Sequence, residues 1–276
     1  LAEPKDSRML RFYCKYYEST GNWQRMLSSL QMLKGAVSGS YRELEVTREI
    51  ARVSEEKLNN PGKSVNVWNQ LLKDGLFVEE AREALIGLYV RTEKWQALLE
   101  IYKNDLEAIP EEDAKARIEC LKKSIDIYDN QLHLDAMVIK FYHQILAIDP
   151  NNDEAVNALI ERYEASKRWN DLLKILNQKA ESTTDKEASV DIYYRIAILW
   201  SDSLGNVAKS IEPLLKVVEI DPTQVKALRQ LHDFYEQRNS WANLYDIIEQ
   251  EAAVAEGAEK ITLLKRQAEI GEVNLH

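Results

Sequence analysis

Residues 159–176 read LIERYEASKRWNDLLKIL, and they decide the fold. Leu159, Ile160 and Tyr163 share one face of a helical pattern, and Trp169, Leu172, Leu173 and Leu176 share one face of a second. Spacings of three, four and seven are those of an apolar stripe on an α-helix. The polar break Ala165-Ser166-Lys167-Arg168 between them suits a tight turn joining antiparallel helices. The stretch recurs at 13–30 (YCKYYESTGNWQRMLSSL), 85–102 (LIGLYVRTEKWQALLEIY) and 231–248 (LHDFYEQRNSWANLYDII). Tyrosine precedes tryptophan by six residues in every copy: Tyr17 and Trp23, Tyr89 and Trp95, Tyr163 and Trp169, Tyr235 and Trp241. The tryptophans are 72, 74 and 72 residues apart, and a period of that kind is the mark of a protein built from stacked units.

Each period holds room for two helix hairpins. The pattern predicts helices near 5–19, 22–36, 41–58, 63–74, 78–91, 94–107, 112–130, 134–147, 152–166, 168–180, 186–203, 206–219, 223–238, 240–255 and 258–273. Junction chemistry supports this: Pro110 and the acids after it suit a helix N-terminus, Asp149-Pro150-Asn151-Asn152 and Asp221-Pro222-Thr223 end one helix and cap the next, and Asn59-Asn60-Pro61-Gly62 is a turn. Pro213 conflicts with an unbroken 206–219 helix, so a kink or a later start is expected there. The intervening hairpins also align, 122–150 over 194–222. The units are placed at about 4–75, 76–149, 150–221 and an incomplete 222–276, in one continuous domain over 1–276. Pro4 stands 19 residues before Trp23, as Pro150 and Pro222 stand before Trp169 and Trp241. The chain thus starts in phase with the repeat, neither end looks like a polar cap, and a longer array or a larger protein is expected around it.

The segment 149–180, with its Asp149-Pro150-Asn151-Asn152 phrase, Ala155, Leu159, Tyr163 and Trp169, resembles a tetratricopeptide repeat. The resemblance runs along essentially the whole chain as about seven hairpins. It departs from the family at Ile160 and Leu172, and in the next copy at His232 and Leu244, where the family has small residues. The tyrosine–tryptophan texture is also similar to the half-a-tetratricopeptide repeats of RNA-processing scaffolds. The fold implied is an all-α, open right-handed solenoid of antiparallel hairpins, and the role implied is binding other proteins.

Composition bounds the chemistry. Charged residues make up 30% and hydrophobic ones 45%, which excludes disorder and membrane embedding. A net charge of −10 argues against a nonspecific nucleic-acid surface. No apolar run is long enough to cross a membrane, and no signal-peptide pattern is present. Cys14 and Cys120 are far apart in sequence and read as buried small apolar residues. His133, His143, His232 and His276 lack a second ligand at metal spacing. There is no phosphate loop, nucleophile elbow or zinc pair, so neither cofactor, metal nor catalytic residue is expected. The tyrosines and tryptophans read as packing between hairpins.

In a tetratricopeptide-like hairpin the fifth and ninth positions of the first helix face the concave side. Counted from the tyrosine at position eleven, and from Ser54 by analogy in the second hairpin, these are Arg11 and Lys15, Arg48 and Arg52, Glu83 and Gly87, Lys122 and Asp126, Asn157 and Glu161, Tyr194 and Ile198, and Arg229 and Asp233. The first four are basic, so an N-terminal basic patch that receives an acidic segment of a partner is expected. The set does not match the family's lysine–asparagine clamp for a terminal carboxylate. The expectation is therefore a non-catalytic interaction scaffold or adaptor binding a protein or peptide. The alternatives are a closed helical toroid whose paired carboxylates hydrolyse a glycosidic bond and the regulatory segment of a larger enzyme. Oligomeric state and compartment are not set by the sequence, the cytoplasm being favoured for the latter.

Overall fold

The structure, a computed structural model, describes residues 7–275; Pro4, on which the N-terminal phase rests, and His276 lie outside them. Every regular element among the described residues is helical. Contacts gather into two compact units, one ending at Leu134 and the other starting at Asp135. That division falls inside the 76–149 stretch of the sequence period.

The first unit contains α1 (Ser7–Ser19), α2 (Trp23–Ala36), α3 (Tyr41–Arg52), α4 (Pro61–Lys73), α5 (Val78–Arg91), α6 (Trp95–Ala108) and α7 (Ala114–Asn130). The second contains α8 (Asp135–Ile148), α9 (Asp153–Ala165), α10 (Trp169–Ser182), α11 (Lys186–Ile198), α12 (Val207–Ile220), α13 (Val225–Gln237), α14 (Trp241–Val254) and α15 (Gly257–Ile270). Within each unit, helices adjacent in sequence pack together. With connections this short, each such pair runs antiparallel, so each unit is a row of hairpins.

The fixed tyrosine–tryptophan spacing has a geometric cause. In all four copies the tyrosine carbonyl accepts the N–H five residues on: Asn22 to Tyr17 at 2.9 Å, Lys94 to Tyr89 at 2.8 Å, Arg168 to Tyr163 at 2.8 Å and Ser240 to Tyr235 at 2.9 Å. The residue before each donor is left-handed: Gly21, Glu93, Lys167 and Asn239, with φ between +53° and +67°. This is the Schellman closure of a helix. The tryptophan follows as the first residue of the next helix. The intervening hairpins also close through a left-handed residue, Asn59, His133 and Gly205, with an N–H bond that spans six residues, from Asn60 to Ser54, Leu134 to Tyr128 and Asn206 to Trp200, at 2.7–2.8 Å.

The apolar stripes meet between helices. Leu27, Leu30 and Ile50 centre one buried cluster of the first unit, and Leu71, Leu85 and Leu98 another. Leu228, Leu231 and Leu244 centre a cluster in the second. Leu159 and Leu172 from the opening stretch are fully buried, each worth about 1.5–3 kcal/mol over an exposed side chain. The tyrosines at the turns Tyr89, Tyr163 and Tyr235 are buried, whereas Trp23, Trp95 and Trp241 are half-buried at the cluster edges.

Three details differ from the sequence reading. Pro213 does not delay its helix: α12 starts at Val207 and continues to Ile220, held by buried Leu214, Val217 and Val218 on the same side as the proline. The expected 41–58, 186–203 and 258–273 helices end in π-helical turns, Val53–Lys57, Leu199–Ser203 and Gly271–Leu275. Asp221 does not cap α13 directly. Its carboxylate accepts from the Thr223 N–H and from the Thr223 and Gln224 side chains, and α13 begins after Gln224. Asn60, Asp113, Asn152 and Asn206 do cap their helices, each accepting the N–H three residues on.

Candidate functional site

The first helices of the hairpins carry the expected groove positions. In α1, Arg11 and Lys15 are exposed, and among the described residues no carboxylate pairs with them. They alternate with exposed aromatic side chains, Phe12 at 65%, Tyr16 at 53% and Tyr13 at 39% exposure, so this helix presents rings and cations together. Tyr13 also stacks on Tyr17.

In α3, Arg48 is exposed and among the described residues no carboxylate pairs with it. Arg52 differs. Its guanidinium donates to Glu49 at 2.5 Å, lies 3.3 Å from Glu18 on α1 and reaches Glu56 at 3.8 Å. The Glu49 hydrogen bond is the main cause of its raised pKa. Its charge is spent within the protein, so the expected four-residue basic patch contains three uncommitted cations, Arg11, Lys15 and Arg48.

Arg48, Arg52, Glu83 and Gly87 come together around one cavity of about 440 Å³ between α3 and α5. Ala51, Trp68, Ala84 and Leu88 give it an apolar side, and Glu55, Glu56, Glu80 and Arg91 add charge to its rim. Arg91 pairs with Glu55 at 2.7 Å, tying the end of α5 to the π turn that follows α3. Glu80 and Glu83 are exposed on α5, and no cation among the described residues pairs with either.

The remaining expected positions do not gather in this cavity. On α7, Asp126 is exposed and accepts from Asn130, and Lys122 is half-buried. In the second unit, Asn157 accepts from Lys179 at 2.8 Å, Glu161 is exposed, and the Tyr194 hydroxyl accepts from Gln230 at 3.3 Å. Ile198 is half-buried and Asp233 is exposed. Arg229 pairs with Glu259 at 2.7 Å and lines a second cavity, of about 280 Å³, with Glu251 and Glu256.

One set of residues escaped the sequence reading. Glu18, Glu164 and Glu236 each directly follow a turn tyrosine, and Glu55 occupies the matching place after Ser54. Each pairs with an arginine on the first helix of the next hairpin: Glu18 with Arg52, Glu55 with Arg91, Glu164 with Arg195 and Glu236 with Arg266. The recurrence of Tyr-Glu was visible, but the arginines lie 30 to 36 residues on and at different helical positions. One of these pairs, Glu18 with Arg52, helps take a groove cation out of use.

Two histidines are engaged internally. His143 bonds the Tyr163 hydroxyl at 2.7 Å, and burial lowers its pKa. His232 on α13 bonds buried Glu251 on α14 at 2.5 Å, and that hydrogen bond raises its pKa. The Cys14 and Cys120 thiols are buried, with pKa values raised by desolvation. Among the described residues no three histidine, cysteine or acidic side chains gather as metal ligands, and no helix is long and apolar enough to cross a membrane.

No family model matches the chain. No curated protein matches it in sequence. Similar solved structures include a tetratricopeptide repeat protein from Parabacteroides merdae, 14% identical, covering 95% of this chain and 98% of that one with a TM-score of 0.32. The C-terminal part of a repeat-containing protein from Cytophaga hutchinsonii is 14% identical, covering 77% and 82% with a TM-score of 0.35. PilF from Pseudomonas aeruginosa is 18% identical, covering 70% and 86% with a TM-score of 0.33. The chain's own period, turns and packing make it an all-α repeat of helix hairpins.

Proposed function

We propose that the chain is a non-catalytic scaffold that binds a segment of a partner protein across the first helices of its N-terminal hairpins. The observation that carries this reading is the cavity between α3 and α5, where groove positions of two successive hairpins meet over an apolar side. A concave site with a few placed polar groups is the usual form of a binding site. The uncommitted Arg11, Lys15 and Arg48 supply positive charge for an acidic stretch of that partner, in a chain of net charge −10. The exposed rings of Phe12 and Tyr16 add the aromatic contact area in which interface energy concentrates.

The test is quantitative capture from lysate of the source organism by the chain and by a variant with Arg11→Glu, Lys15→Glu and Arg48→Glu. All three side chains are exposed, so the variant is expected to keep its helical circular dichroism. Loss of a protein held by the native chain supports the reading. An undiminished capture profile overturns the use of this groove.

A further inference from the structure

The rim of the α3–α5 cavity does not have the sign that its arginines suggest. Seven charged side chains line it, and four of them are engaged in ion pairs: Arg91 with Glu55 at 2.7 Å, and Arg52, held mainly by Glu49, with Glu56 at 3.8 Å. What remains is Arg48 on the α3 side and Glu80 with Glu83 on the α5 side. Glu80 and Glu83 are three residues apart on one helix, so they share a face. Both are exposed, and no cation among the described residues neutralises them.

Small and apolar residues make up the rest of the lining. Gly87 lies at the cavity, where an added Cβ would come within 3.4 Å of the Arg91 guanidinium. Ala51 and Ala84 are the other small residues there, and Leu88 and Trp68 supply apolar surface. Two unpaired carboxylates in a cavity with a partly apolar lining match a side chain with an aliphatic stem and a cationic head.

We propose that this cavity receives a lysine or arginine side chain of the bound partner. The stem lies along Ala51, Ala84 and Gly87, and the head sits between Glu80 and Glu83. This rests on the scaffold reading and refines it: the partner's charge changes sign along the groove, acidic opposite Arg11, Lys15 and Arg48 and basic at the α5 wall. Because the rim is open to solvent, the contact is screened by salt.

The experiment uses the full chain, 15N-labelled, titrated with three acetylated, amidated nonapeptides of equal length, one lysine–alanine, one glutamate–alanine and one serine–alanine. The Gly87 and Ala84 amides report the cavity directly. The lysine peptide is expected to shift both, the other two to leave them in place, and 0.5 M salt to weaken binding several-fold. Glu80→Gln with Glu83→Gln is expected to weaken the lysine peptide at least tenfold, and Arg48→Ala, which removes a like charge from the rim, to tighten it. A shift by the glutamate peptide instead, by all three alike, or by none overturns the inference. Failure of the scaffold reading shows elsewhere, as capture that the Arg11, Lys15 and Arg48 reversals leave unchanged.

Discussion

Among the described residues, six without glycine's freedom hold positive φ: Asn59, Phe77, Glu93, His133, Lys167 and Asn239. Four copies of one turn make a controlled comparison, because Gly21 holds the left-handed place that Glu93, Lys167 and Asn239 hold in the others. A side chain there crowds the following carbonyl, and asparagine tolerates it better than glutamate or lysine. Glu93→Gly is expected to raise stability by about 0.5–1 kcal/mol, the relief being partly offset by the greater freedom of unfolded glycine, as read in urea unfolding. Gly21→Glu is expected to lower it by a similar amount. The two internal histidines bring opposite pH dependences. Glu251 raises the pKa of His232, so that pair's stability is fully present below the unfolded histidine value of about 6.5 and is lost as pH rises through the higher folded value. His143 is lowered by burial, so its contribution is present above about 6.5 and lost as pH falls through the folded value. Urea titrations from pH 5 to 9 should show His232→Gln removing a decline on the alkaline side and His143→Gln removing a decline on the acid side. A His232→Gln variant that still declines above pH 7 with the native slope would sink the first assignment.

At the scale of single elements, α3 is anchored by a charge that no apolar stripe reveals. Glu43 is 2% exposed in the first turn of α3, and its carboxylate accepts the Gly39 N–H at 2.7 Å and lies 3.5 Å from Lys34 of α2. One carboxylate therefore fixes the α2–α3 loop and the start of α3 together. Glu43→Ala strands the Gly39 donor and Lys34 and is expected to cost about 3 kcal/mol in chemical unfolding. By contrast, Glu164 and Arg195 are 40% and 42% exposed, so a double-mutant cycle on that pair should give under about 1 kcal/mol. The contrast explains what was legible. The helices and turns could be read because the period-72 pattern repeats the local turn chemistry, with Tyr163 and Trp169 bracketing a closure that four copies share. Ser40 stands at the N-cap of α3, but its hydroxyl donates to the Val37 carbonyl at 2.6 Å and caps no helix N–H. The π turns were not legible, since five-residue stretches such as Val53–Lys57 (VSEEK) and Leu199–Ser203 (LWSDS) carry too few apolar residues to reveal a change of helical period. Counting along the hairpins reached Arg48, Arg52, Glu83 and Gly87, which line one cavity. It could not separate Arg52 from Arg48, because one of the acids that holds Arg52 comes from a different hairpin.

For the molecule as a whole, the consequence of a hairpin repeat is that each unit of structure is held by its sequence neighbours. The stability of such an array is a sum of local terms and nearest-neighbour interfaces. Leu85 of α5 is fully buried and belongs with Leu71 of α4 and Leu98 of α6, whereas Leu231 of α13 packs with Leu228 and Leu244. Leu85→Ala removes buried methyl groups and leaves a cavity, which costs about 2–5 kcal/mol. In a protein with one shared core that loss would lower protection from hydrogen exchange everywhere. In a row of hairpins it stays local: amides of α4, α5 and α6 should exchange faster by two to three orders of magnitude, while those of α13 and α14 keep their native rates. Leu231→Ala should give the mirror result, fast exchange in α13 and α14 with α4 to α6 unchanged. Uniform loss of protection in both variants would mean that the chain unfolds as one cooperative body, and the nearest-neighbour account would have to be abandoned.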